Sequence, residues 1–86
     1  MKEKDLIKLG FKRTDVSAEE SGGDAFYYYV YEFGDFAIQN FDLITPANDE
    51  IINGEWIVYL FNYDKLVFSE KSELKKYIKL VKRNLK

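Results

Sequence analysis

The chain has no cysteine and no histidine. No disulfide can therefore staple the fold, and thiol chemistry, Ser-His or Cys-His nucleophiles and the usual nitrogen and sulfur ligands of structural zinc are excluded. Long hydrophobic runs are missing as well, none approaching the roughly 18 residues that cross a bilayer. The start, Met1-Lys2-Glu3-Lys4-Asp5, is not followed by the apolar stretch of a secretory leader, so the expected location is cytoplasmic, away from membranes. Phosphate-cradling glycine patterns are absent too, and the lone pair Gly22-Gly23 runs into Asp24, whose charge repels phosphate. Neither Glu19, Glu20 and Asp24 nor Asp49, Glu50 and Glu55 follow the spacing of a calcium loop, and a carboxylate pair for sugar hydrolysis needs a cleft that so short a chain rarely provides. The reading is a non-catalytic protein without metal or cofactor.

The most informative absence is of positive charge. Between Arg13 and Lys65 lie 51 residues without one Lys or Arg, and they carry 11 acids. The preceding segment sums to +3 and the following one to +6, which returns the total of −2. The middle of the chain is acidic and its two ends are basic. One explanation is mutual neutralisation, since mixed surfaces keep small domains soluble. The other is a negative surface that selects a positively charged partner and speeds the encounter with it.

What the chain has in excess is aromatic residues: seven Phe, seven Tyr and one Trp in 86 residues. A chain of this length holds one domain, residues 1–86, and buries only about 60% of the surface its unfolded form exposes. Each aromatic can bury roughly 150 to 250 Å², so half of them suffice for a core and the rest are available for contacts.

The order of elements follows from local patterns. Residues 3 to 9 with Leu6, Ile7 and Leu9 predict a short helix that Gly10 ends. Phe11 to Val16 reads as an edge strand or extended chain, and Ser17 to Asp24 as a flexible acidic loop. Phe26 to Phe33 is a strand by composition. Gly34-Asp35 is a hairpin turn, Phe36 to Ile44 the return strand, and Thr45 to Gly54 a connecting loop. Trp56 to Phe61 is the third strand. Asn62-Tyr63-Asp64 is a turn, Leu66 to Phe68 a short fourth strand, and Ser69 occupies an N-cap position. Leu74, Tyr77, Ile78, Val81 and Leu85 then recur at helical spacing. The fold class is α+β: a small antiparallel sheet of three to four strands, a short N-terminal helix and a C-terminal amphipathic helix packed on one face.

Alternation puts Phe26, Tyr28 and Val30 on one face and Tyr27, Tyr29 and Tyr31 on the other. The less polar set, with Trp56, Val58 and Leu60, is assigned to the core beneath the C-terminal helix. Tyr27, Tyr29, Tyr31 and Tyr59 are then exposed, and with Glu32, Asp35, Glu19, Glu20 and Asp24 they form the expected partner-binding surface. The first helix, or a symmetry mate in a homodimer, could instead cover the same tyrosines. Nucleic acid is disfavoured on that surface because phosphate contacts need Lys or Arg beside the stacking rings. The alternative function is a nucleic-acid-binding module that uses the basic helix with Lys75, Lys76, Lys79, Lys82, Arg83 and Lys86.

The stretches Leu6-Ile7-Lys8-Leu9-Gly10-Phe11, Asp15 to Gly22, the tyrosine strand and the closing Ser72-Glu73-Leu74-Lys75-Lys76-Tyr77-Ile78 give a chain that resembles small proteins of phages and mobile elements from AT-rich bacteria. Some of those are inhibitors of host defence, including anti-CRISPR proteins that bind Cas nucleases. The resemblance implies an inhibitor or modulator of a basic, nucleic-acid-handling defence protein, and it carries no site residue across.

Overall fold

The computed structural model describes residues 1–33, 41–61 and 63–84, and residues 63–65 by their backbone alone. The expected Gly34-Asp35 turn, residues 36–40 of the return strand, Asn62 and Leu85 lie outside the described residues.

The first helix, α1 (Glu3–Leu9), is set by both of its ends. The Asp5 carboxylate accepts from the Lys2 N–H at 3.0 Å, and that bond, with Lys71 at 3.6 Å, holds its carboxyl below the ordinary carboxylate value. At the other end Gly10 adopts φ 103°, its N–H donating to the Ile7 carbonyl and the Phe11 N–H to that of Leu6, which is the double bond of a Schellman stop. A side chain at Gly10 would also meet the Tyr31 ring, 3.3 Å from where a Cβ would sit.

Five antiparallel strands follow in sequence order: β1 (Lys12–Val16), β2 (Phe26–Tyr31), β3 (Leu43–Ile44), β4 (Val58–Leu60) and β5 (Tyr63–Phe68). They form a meander, so every connection is between neighbours and no parallel crossover is needed. The α+β class stands as expected, with five strands in place of three to four. The additional one is β1, the segment read as strand or extended chain. Tyr63 and Asp64 belong to β5 and not to the turn before it.

Two loops are more ordered than their composition suggested. Ser17–Asp24 contains a single helical turn, α2 (Ala18–Ser21), closed by reciprocal bonds: Glu20 N–H to Ser17 Oγ at 3.2 Å, and Ser17 N–H to the Glu20 carboxylate at 3.4 Å. The flexible loop expected there is replaced by a capped turn. The loop before β4 holds a 3-10 turn, Asn48–Glu50, then a bridge between Ile52 and Glu55. Asn53 and Gly54 between them are both left-handed, φ 56° and 71°, as a type I′ hairpin demands.

The closing helix, α3 (Lys71–Asn84), starts two residues after Ser69. The helical ladder opens instead at Glu70, whose carbonyl accepts the Leu74 N–H at 3.2 Å. Ser69 helps to anchor the N-terminus, since its carbonyl, that of Trp56 and the Glu55 carboxylate all accept from the Met1 amino group at 3.1 to 3.3 Å. Lys2 reaches Glu55 at 2.6 Å, and Lys2 followed by the Met1 ammonium pulls the Glu55 carboxyl below its ordinary value.

Leu6 of α1 and Leu74 and Ile78 of α3 pack on Tyr29, Tyr31, Leu43, Trp56, Val58 and Phe68. Both helices thus cover one sheet face, and that face carries the odd-numbered tyrosines. Trp56 (4% exposed) and Val58 (0%) are in the core as expected, but Tyr29 (3%) and Tyr31 (7%) are there with them, so the expected exposure of these tyrosines is overturned. The cause is their amphipathic shape: a ring can fill the wide gap between sheet and helices provided its hydroxyl finds a partner at the margin. Tyr29 finds the Glu3 carboxylate at 2.5 Å.

Candidate protein-binding surface

Register fixes what the helices leave uncovered. Lys12, Val30, Ile44, Tyr59 and Val67 lie side by side across all five strands, and Thr14 beside Tyr28 and Val16 beside Phe26 extend the same face. This second face is apolar and aromatic: Phe26, Tyr28, Val30, Ile44 and Tyr59 are half-buried, and Val67 at 47% and Phe61 at 56% are exposed. Within it the Phe26 and Tyr28 rings lie 6.4 Å apart. At one end of this face Val30, Glu32, Asp42 and Phe61 line a cleft of about 260 Å³. Asp42 is held there, its carboxylate accepting from the Phe33 N–H at 3.1 Å and its carbonyl from the Phe61 N–H at 2.9 Å. A cleft that pairs an aromatic ring with two carboxylates suits a Lys or Arg side chain, which offers an apolar stem and a cationic head.

The opposite end of the sheet is acidic as well. There β1 closes, α2 turns and β2 opens, and the Asn48 side chain accepts the Tyr27 N–H at 2.9 Å, which draws the 3-10 turn alongside. Glu19, Glu20, Asp24, Asp49 and Glu50 are exposed in this region. Among the described residues no three acids are close enough to hold a metal ion.

The residues expected to form one surface are therefore divided. Tyr59 and Glu32 are on or beside the open face, and Glu19, Glu20 and Asp24 are exposed at its far end. Tyr27, Tyr29 and Tyr31 lie on the helix side, and Asp35 is outside the described residues. Tyr27 stacks on Trp56 with centroids 6.1 Å apart, and the Arg13 guanidinium, paired with Asp15 at 2.9 Å, sits 3.7 Å from the Tyr27 centroid. The open-face residues that the sequence reading missed, Phe26, Tyr28, Val30, Ile44, Phe61, Val67 and Asp42, carry a signal only through register. Assigning β2 to the wrong face removed the first three at one stroke.

Burial, followed by the Glu3 hydrogen bond, raises both Tyr27 and Tyr29, the latter to about 12 from an ordinary value of 10. A proton held more tightly in the folded state stabilises it below the ordinary value and ceases to do so as pH rises through the higher one. Stability should accordingly fall between about pH 10 and 12, the Tyr29 share being no more than about 2.7 kcal/mol for its two-unit shift. Urea midpoints of the parent and Tyr29→Phe across that window give the Tyr29 share. Equal pH slopes for the two would remove Tyr29 as the cause.

Comparison with protein-family models, with curated proteins and with solved structures finds no match to this chain. Among the described residues no helix is long and apolar enough to cross a membrane.

Proposed function

We propose that the chain is a non-catalytic binding protein whose uncovered sheet face docks onto a basic protein surface. The observation that supports this reading best is the cleft of Val30, Glu32, Asp42 and Phe61 at the rim of an aromatic face, within a segment of 51 residues that contains no Lys or Arg. An apolar centre supplies the area and flanking acids choose the partner, the division of labour found in specific interfaces. A basic, nucleic-acid-handling protein has the complementary surface, because its cations are spaced to meet phosphates and accept carboxylates equally well. Occupying those cations would inhibit or modulate that protein, and the resemblance to anti-defence proteins of phages, anti-CRISPR proteins included, adds support for a partner in host defence.

The test is capture from a bacterial lysate by four forms: the parent, Phe61→Ala, Tyr28→Ala and the double variant Glu32→Gln with Asp42→Asn. Asparagine keeps the oxygen that accepts the Phe33 N–H, so the double variant removes charge without loosening the chain. The expected result is one basic protein captured by the parent, lost with Phe61→Ala and Tyr28→Ala, and reduced by the double variant and by raising salt to about 0.5 M. Phe61→Ala should change the unfolding free energy, read from urea denaturation, by less than about 1 kcal/mol, as exposed substitutions do. Capture indifferent to all three variants would show that the partner binds elsewhere.

A further inference from the structure

The outer side of α3 is built differently from the sheet. Lys76, Lys79, Leu80 and Arg83 line a groove of about 420 Å³. Leu80 is shared with a second groove of about 360 Å³, whose other walls are Phe41, Tyr77, Val81 and Asn84. Spacings of three and four residues put the cations on one stripe of the helix, and at 1.5 Å rise Lys76 and Arg83 are about 10 Å apart along it. The acid of α3, Glu73, stands in the first turn, and no described acid lines either groove. Leu80, 52% exposed, stands at the step from basic to apolar lining, and Phe41, 46% exposed, lies on its apolar side. Tyr77 fixes this step, its hydroxyl donating to the Phe41 carbonyl at 2.9 Å while its ring packs on Phe33 and Phe68.

We propose that this double groove docks an acidic amphipathic helix of a partner protein, with carboxylates on Lys76, Lys79 and Arg83 and an apolar side chain between Leu80 and Phe41. Charge complementarity selects an anionic occupant, and the apolar half selects among anions. A nucleic acid would meet the cations, but among the described residues of the two grooves Phe41 is the one exposed ring to stack on, where single-strand binders use successive aromatics. A helix presenting acids on one side of an apolar stripe satisfies both halves at once. The site is separate from the open sheet face, so it stands or falls independently of the proposed function.

Fluorescence anisotropy tests it with a labelled helix-forming peptide of Glu and Leu, its leucines three and four apart. The comparison ligands are a poly-glutamate peptide, the same composition with the leucines clustered, a single-stranded oligo-dT and a DNA duplex. The amphipathic peptide should bind at least about tenfold more tightly than the other four. Lys79→Glu with Arg83→Glu, and separately Leu80→Ser, should each weaken it at least about tenfold, while Lys8→Glu on α1 leaves it unchanged. These positions are exposed, and thermal melts confirm that each variant is folded. Poly-glutamate binding as tightly as the amphipathic peptide, tighter binding of either DNA, or indifference to Leu80→Ser would each overturn the proposal. So would self-association, seen by sedimentation, that Lys79→Glu with Arg83→Glu abolishes, since the groove would then be filled by a second copy.

Discussion

Trp56→Ala is expected to leave much of the protein unfolded at room temperature. The indole is 4% exposed and sits where α1, β2 and the approach to β4 meet. It stacks on Tyr27, meets Tyr29 edge-on at 5.3 Å, and through its backbone exchanges hydrogen bonds with Met1, at 2.7 Å from its own N–H and 3.3 Å to its carbonyl. Truncating a buried large aromatic costs about 3 to 5 kcal/mol, the sum of lost transfer energy and an unfilled cavity. Ordinary domains have only about 5 to 15 kcal/mol in total, and a chain this short belongs at the lower end. Trp56→Phe keeps part of the ring contact and should lose clearly less. Urea midpoints of the two variants and the parent decide the matter; an alanine variant within about 1 kcal/mol of the parent would mean that Trp56 is not a core residue.

The burial of Trp56 was legible in the sequence because a single Trp alternating with Val58 and Leu60 leaves little choice of face, although the strand itself begins only at Val58 and not at Trp56. The placement of the tyrosines was not. Phe26, Tyr28 and Val30 are less polar than Tyr27, Tyr29 and Tyr31, and hydrophobicity alone sends the former inward. What reverses the order is a contact 26 residues away in sequence, the Tyr29 hydroxyl on Glu3, which no periodicity within the strand reveals. Other features could be read locally and for a clear reason. The stop at Gly10 needs a left-handed residue, and the helical spacing of Leu74, Ile78 and Val81 predicts the side of α3 that is buried. Two local signals were present yet under-read: Ser17 followed three residues later by Glu20 is a capping box, and Asn53-Gly54 is the pair a type I′ turn prefers. The candidate surface inherits the error in the strand. Its acids Glu32, Glu19, Glu20 and Asp24 were found from charge runs, whereas its apolar centre depends on which way β2 faces.

Tyr29→Ala should therefore be among the most damaging single changes in the sheet, and Tyr28→Ala, its neighbour on the uncovered face, among the milder ones. Tyr29 packs edge-on against both Trp56 and Tyr27, with centroids at 5.3 and 6.1 Å, and its backbone is fixed to Thr45 by bonds of 2.9 and 3.0 Å. Removing the ring opens a cavity beneath α1 that a rigid sheet cannot close, with an expected cost of about 3 to 5 kcal/mol. Tyr29→Phe separates the ring from the hydroxyl. It keeps the packing, gives up the bond to Glu3, and should cost about 1.5 to 3 kcal/mol, the range for a hydrogen bond to a charged group. Tyr28 lies on the face that neither helix covers, so Tyr28→Ala should cost about 1 kcal/mol or less. Urea denaturation of the three variants ranks them directly. The order Tyr29→Ala, then Tyr29→Phe, then Tyr28→Ala is what a helix-covered tyrosine face requires, and Tyr28→Ala emerging as the most damaging would put the helices on the opposite face and turn the proposed docking surface into the core.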